Sequence, residues 1–286
     1  MNWPKALITE LASRRCIVFI GSGASAGCLS QDDTKSPPTW SAFLQSLIDL
    51  MADKTDLPTI EDYIQKEKYL EAAEVIKKNI SPADFSAFIR EELVTPRYKP
   101  SKIHESILEI DPKILITTNY DDIYDSFCRT GAAHEGYNVS KYYDSHIISD
   151  LRSPVRLIIK AHGCISDASQ IVLTKSEYFR VRQKYASFYK VLDSLFLTHT
   201  ILFLGYSLTD PDIQLVLENV NIAAPSSHPH YFVTGNNINQ AIKLANKSAY
   251  NIEFLEFTAG NFTELNDGLS ELAESVKEYR LSNPAV

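Results

Sequence analysis

Hydrophobic residues along the chain gather into short, β-branched runs that stop at glycine or at a polar turn. Six stand out: Cys16–Ile20 (CIVFI), Lys113–Ile116 (KILI), Val155–Ile159 (VRLII), Thr200–Leu204 (TILFL), Tyr231–Thr234 (YFVT) and Ile252–Phe257 (IEFLEF). Continuous apolar runs of this length suit strands buried on both faces, and the stretches between them have helical spacing. The alternation predicts an α/β fold: a doubly wound, mostly parallel sheet of about six strands.

Several predicted helices carry readable starts. Thr174-Lys-Ser-Glu177 fits a capping box ahead of a helix over Tyr178–Leu197. Asp210-Pro211 and Ser81-Pro82 each place a capping residue before a proline at the first helical position. From Trp40 to about Ile110 the alternation breaks, and four helical stretches follow one another without a strand. We therefore expect a single domain over 1–286 with a helical insertion at approximately 40–110. The tyrosine-rich segment Cys128–Leu151 offers no assignable pattern.

Composition narrows the function. The 286 residues are 44% hydrophobic and 22% charged, with a net charge of -8. An acidic chain lacks the clustered cations that neutralise phosphates, so direct nucleic-acid binding is not expected. The small basic runs Arg97–Lys102 and Arg180–Lys184 read as solvated faces. No run approaches the ~20 apolar residues of a membrane span, and no secretory leader is legible, so a cytoplasmic protein is expected. Cys16, Cys28, Cys128 and Cys164 lie far apart and form no C-x-x-C pair. His228-Pro-His230 has no third ligand nearby and reads as a turn entering a strand.

Ligands of open α/β sheets sit beyond the carboxyl ends of the strands. Four runs end there in polar or glycine-rich signatures. Gly21-Ser22-Gly23-Ala24-Ser25-Ala26-Gly27 follows CIVFI, and its glycines would let backbone and a helix N-terminus approach a phosphate. Thr117-Thr118-Asn119-Tyr120-Asp121-Asp122 follows KILI; its Asn and Asp serve equally as helix caps or as groups facing a ligand. Lys160-Ala161-His162-Gly163 closes the third, with a histidine suited to general-base work and Asp167 close enough in sequence to orient it. Gly205-Tyr206-Ser207-Leu208-Thr209-Asp210-Pro211-Asp212 closes the fourth. Asp210 is explained by capping alone; Gly205 and Ser207 are not.

The order GSGAS, TTNYD, HG, GYSLTDPD resembles the sirtuin (silent information regulator) superfamily, and more closely the sirtuin-like domains of bacterial anti-phage defence systems, which hydrolyse NAD. The resemblance runs from Cys16 to about Ile213 and implies a Rossmann-like fold. It implies that Gly21, Ser22, Gly23, Ala24 and Ser25 wrap the NAD pyrophosphate and ribose. Asn119 and Asp121 match the nicotinamide-side motif, and His162 matches the catalytic histidine. Gly205 and Ser207 match the turn on the adenosine side, and Asp210 an acidic position of the defence branch.

Two departures matter. The zinc ribbon of deacylating sirtuins, built from two cysteine pairs after the histidine, has no counterpart, so no zinc is expected. Tyr120 stands where the family usually has isoleucine. The resemblance thus implies an NAD glycohydrolase that depletes NAD in anti-phage defence, with catalytic His162 and Asn119. An NAD-dependent deacylase or ADP-ribosyltransferase and a non-catalytic NAD or ADP-ribose sensor are the alternatives. An unchecked NADase is toxic to its host, and no sensor domain is legible. We therefore expect gating by homo-oligomerisation or by a partner subunit, a HerA-type ATPase or an Argonaute-like protein in the family context.

Overall fold

The computed structural model describes residues 1–132, 136–208, 210–224 and 228–284. Seven strands form one sheet: β1 (Cys16–Ile20), β2 (Ile114–Thr117), β3 (Tyr137–Lys141), β4 (Arg156–Lys160), β5 (Thr200–Leu204), β6 (His230–Gly235) and β7 (Ile252–Phe257). Their order is β3-β4-β2-β1-β5-β6-β7 and every pairing is parallel. This is a Rossmann-like α/β sheet with one strand more than the apolar runs announce. The extra strand, β3, lies at the edge of the sheet inside Cys128–Leu151. Only Ser140 of its five residues is fully buried, so no apolar run marks it.

The central strands show why their sequences are apolar throughout. In β1, Cys16, Val18 and Ile20 join the core on one face, and Ile17 and Phe19 join the core on the other. Parallel register carries this alternation across the sheet, with Val18 beside Leu115 and Leu202, and Phe19 beside Ile116 and Phe203. Helices Lys5–Ala12, Lys102–Ile110 and Phe262–Ser282 cover the first face. Helices Ala186–Thr198 and Pro211–Ala223 cover the second. The single helix predicted over Tyr178–Leu197 is two, Lys175–Lys184 and Ala186–Thr198. Tyr185 leaves helical geometry at φ -117, ψ 42, and its ring packs edge-on against Tyr142.

Between β1 and β2 the helices Trp40–Asp49, Leu57–Gln65, Tyr69–Lys78 and Pro82–Ile89 build a third apolar cluster around Phe43, Leu44, Leu47, Ile60, Ile76 and Phe88. Ile171 and Leu173, from the loop after β4, complete it. This cluster therefore sits at the carboxyl end of the sheet. Helix Lys102–Ile110 belongs instead to the layer against the sheet.

Candidate active site

The chain leaves β1 toward β2 and β4, then returns to the opposite flank of β1 as β5. A crevice opens at such a reversal, at the carboxyl ends of the flanking strands. Two glycine turns meet there. Gly23 donates its N–H to the Gly205 carbonyl at 2.8 Å, and Gly21 donates to Leu204 at 3.0 Å. A Cβ on Gly21 would lie 2.6 Å from the Gly205 oxygen. Gly205 has φ +60, and a Cβ there would lie 2.1 Å from the Ala24 nitrogen. Only glycine allows this approach. The helix after Gly21 is a single turn, Ser22–Ser25. Its Gly23 and Ala24 amides are bonded within the protein, so the open helix N-terminus expected from sequence is partly closed. Thr209, in the fourth motif, lies outside the described residues.

A polar ladder ties the first motif to the second. Asn119 Nδ2 donates to the Gly21 carbonyl at 3.1 Å and to Ser25 Oγ at 3.3 Å. Ser25 Oγ donates onward to Asp121 Oδ2 at 3.1 Å. Asp121 Oδ1 accepts the Ile123 N–H at 3.1 Å, so Asp121, one residue before the N-cap, holds the first amide of helix Ile123–Phe127 and joins the ladder at once. Asn119 does not cap. Burial pushes the Asp121 carboxyl above its usual value, against the pull of Lys160. The Lys160 ammonium donates to the Asp121 carbonyl. Burial opposes its charge, but Asp125 and Asp121 prevail and hold it above its usual value.

The strand ending in Lys160 delivers His162 two residues later. Gly163 at φ +77 then turns the chain so closely under Gln170 that a Cβ would lie 2.4 Å from its carbonyl. His162 is 3% exposed. Its Nδ1 lies 3.2 Å from the Tyr178 hydroxyl, and its Nε2 lies 3.3 Å from Asp210 Oδ2. Asp167 does not orient it. That carboxylate accepts from Ser169 N and caps the short turn Ala168–Gln170. Asp210 does two things through two oxygens. Oδ1 accepts from Asp212 N and Ile213 N as a helix cap, and Oδ2 accepts the Tyr178 hydroxyl at 2.7 Å.

These groups line a cleft of about 700 Å³. Ser22, Gly23, Ser25, Asn119, Asp121, His162, Gly205, Ser207 and Asp210 all face it. Gly21 and Ala24 are buried behind it and act through backbone. The opposite wall comes from the helical region and went unread in the sequence: Trp40, Phe43, Lys68, Tyr69 and Glu71. Trp40 and Tyr69 stack at 13° with centroids 6.1 Å apart, and Tyr120 meets Trp40 edge-on. Tyr178 and Arg182 were also missed as cleft residues. Arg182 belongs to a basic run expected to be solvated, yet it lies 3.0 Å from the buried Asp212. No local pattern distinguishes an arginine turned inward on an amphipathic helix. Among the described residues, no three His, Cys, Asp or Glu side chains gather as a metal site, and all four cysteines are free and buried.

Residues 113–255, half of the chain, match the family model described as a SIR2-like domain. The chain belongs to the SIR2-like family. The match runs from just before β2 into β7 and so includes Asn119, Asp121, His162 and Gly205. The SIR2-like chain is 28% identical over 220 residues to an Enterococcus faecium protein named NAD(+) hydrolase ThsA. That alignment covers 76% of this chain and 42% of the relative. A protein of the same name from Acinetobacter baumannii is 23% identical, with 82% of this chain and 45% of the relative aligned. The Bacillus subtilis protein named defense-associated sirtuin 2 is 30% identical over 145 residues, covering 47% of this chain and 13% of that protein. The SIR2-like chain thus spans less than half the length of these relatives.

Proposed function

We propose that this chain is an NAD glycohydrolase that cleaves NAD to nicotinamide and ADP-ribose as part of bacterial anti-phage defence. The observation that carries the reading is the convergence of four strand ends on one cleft: two glycine turns, the Asn119–Asp121 ladder and His162. The names borne by the relatives point the same way.

The reaction breaks the bond between the ribose C1′ and the nicotinamide nitrogen, and the electron pair leaves with nicotinamide. Water adds to C1′ and gives up a proton. The transition state has oxocarbenium character, as in other glycosyl transfers. Three tasks follow for the protein. The turns Gly21–Ser25 and Gly205–Ser207 hold the dinucleotide where backbone approaches closely. Asn119 and Asp121 hold the nicotinamide side and place negative charge near the developing cation. His162 takes the proton from a ribose hydroxyl or from water. The gating that such an enzyme needs comes from self-association or from a partner subunit.

Nicotinamide release from NAD, followed by chromatography with no acylated protein present, tests the function. Release by the purified chain or its assembled complex, lost in His162→Ala, supports hydrolysis. Release only when an acyl-lysine peptide is supplied would assign the cleft to deacylation, and binding of NAD without release under every condition would make it a sensor.

A further inference from the structure

We propose that Tyr178 is a positioning residue for His162, fixing the imidazole hydrogen on Nδ1 so that Nε2 is the nitrogen that takes the substrate proton. The inference rests on the NAD-cleaving reading of the cleft.

Tyr178, His162 and Asp210 form a closed triangle, all three lining the cleft. The Tyr178 ring is 3% exposed and meets the imidazole edge-on at 4.8 Å. A carboxylate only accepts hydrogen bonds, and a phenol has a single hydrogen. At 2.7 Å that hydrogen goes to Asp210 Oδ2. Burial, with the Asp210 charge beside it, pushes the Tyr178 hydroxyl well above its usual value, so the hydrogen stays in place. The Tyr178 oxygen is left with lone pairs facing His162 Nδ1 at 3.2 Å. It is satisfied by an N–H on Nδ1, which puts the ring's lone pair on Nε2.

The third side of the triangle then joins two acceptors, Nε2 and Asp210 Oδ2, at 3.3 Å. It holds no hydrogen, so a ribose hydroxyl or water that donates to Nε2 breaks nothing. Once Nε2 has taken the proton, the Asp210 carboxylate 3.3 Å away is the counter-charge of the imidazolium. Tyr178 itself is held rigidly. Its helix starts with the Thr174–Glu177 capping box, and Glu177 is anchored by Lys77 at 2.6 Å.

Long-range ¹H–¹⁵N spectra of the ligand-free protein read the tautomer directly. We expect His162 with hydrogen on Nδ1, and a shift toward the Nε2–H form in Tyr178→Phe. In NAD turnover, Tyr178→Phe should lower kcat about tenfold or more and leave KM within about twofold, short of the ~10²–10⁴-fold loss of the base itself. Placed in a His162→Ala background, Tyr178→Phe should cost nothing further. Asp210→Asn, which keeps a capping oxygen, should lower kcat as well and serves if Tyr178→Phe does not fold. An Nε2–H tautomer in the wild-type protein overturns the proposal, as does an equal loss from Tyr178→Phe with and without His162. If wild-type protein releases no nicotinamide, the functional reading falls, and the spectra still decide the Tyr178–His162 relationship.

Discussion

Lys160 and Asp125 form an ion pair shut away from water behind the cleft. Nζ lies 3.0 Å from Oδ1, and the side chains are 2% and 5% exposed. The same ammonium holds the Asp121 carbonyl. One strand end thus does two jobs: Lys160 locks the second motif from behind, and His162 enters the cleft in front. A buried pair gains little over apolar packing, but removing one partner strands the other charge.

Lys160→Met should therefore be among the most damaging changes outside the cleft surface. It leaves Asp125 without its cation and Asp121 without the charge that opposes its burial. The expected loss is about 3–5 kcal/mol, the usual cost of orphaning one member of a buried pair. Urea unfolding followed by circular dichroism measures it. Adding Asp125→Leu to Lys160→Met should recover part of the loss. A single variant that unfolds at the wild-type midpoint would show that the pair supports nothing.

Gly205→Ala should abolish NAD turnover while Gly260→Ala should not. Both glycines have positive φ, +60 and +81. A Cβ at Gly260 meets nothing within 4 Å, so only the left-handed penalty of roughly 1–2 kcal/mol applies. At Gly205 the Cβ would collide with the Ala24 nitrogen and the Gly23 carbonyl carbon, both backbone atoms that cannot swing away. The two turns would be pushed apart where the proposed function has them flank the dinucleotide. Thermal midpoints beside nicotinamide release separate the two effects. Full activity in a folded Gly205→Ala protein would sink the idea.

The sheet was legible because its central strands are buried on both faces, which leaves CIVFI with no polar position and TILFL with Thr200 alone. The edge strand β3 was not, because Tyr137, Asn138, Val139 and Lys141 are each only half-buried. Backbone glycines and strand-end polar residues announced one wall of the cleft, since β1, β2, β4 and β5 end together once the sheet is parallel. The facing wall could not be read. Trp40 and Tyr69 look like ordinary amphipathic-helix residues, and their place opposite His162 is fixed only by tertiary packing. Lys160 was visible beside His162, but its burial depends on Asp125, which sits three residues beyond the second motif. Asp210 shows the limit of choosing between a capping and a cleft-lining role, because Oδ1 caps a helix while Oδ2 accepts the Tyr178 hydroxyl in the cleft.

Acid should weaken the fold before most carboxylates titrate. Burial lowers both His104 and His230 to about 4, from an ordinary value of 6.5. As pH falls below 6.5 the unfolded chain takes up these protons first, so stability declines until about pH 4 and the loss then levels off. At ~1.4 kcal/mol for each tenfold in proton affinity, each histidine contributes roughly 3 kcal/mol. Asp121 and Asp212, whose carboxyls burial raises, act in the opposite sense. His230→Asn isolates the histidine share, because an amide oxygen can replace Nδ1 as the acceptor for Ile201 N. Urea midpoints between pH 7 and 4 should fall less steeply in this variant, and parallel curves would refute the assignment.

Asn119 should prove intolerant even of its closest analogue. Its amide nitrogen donates to the Gly21 carbonyl and to Ser25 Oγ, and Ser25 in turn holds Asp121. Asn119→Ala removes both donations and releases the first glycine turn from the second motif. Asn119→Asp keeps the shape but turns a donor into an acceptor opposite the Gly21 carbonyl, and it adds a second carboxylate to a buried site where Asp121 is already costly to ionise. Both variants should therefore raise KM for NAD as well as lower kcat, because the turn proposed to bind the dinucleotide and the acid proposed to lie beside the ribose move together. His162→Ala should differ, lowering kcat by ~10²–10⁴-fold with KM near the wild-type value, since it removes a proton acceptor and no part of the ladder. Steady-state kinetics on the three variants distinguish a residue that builds the site from one that works in it. An Asn119→Asp enzyme with wild-type KM would mean that the ladder to Gly21 and Ser25 does not shape the bound state.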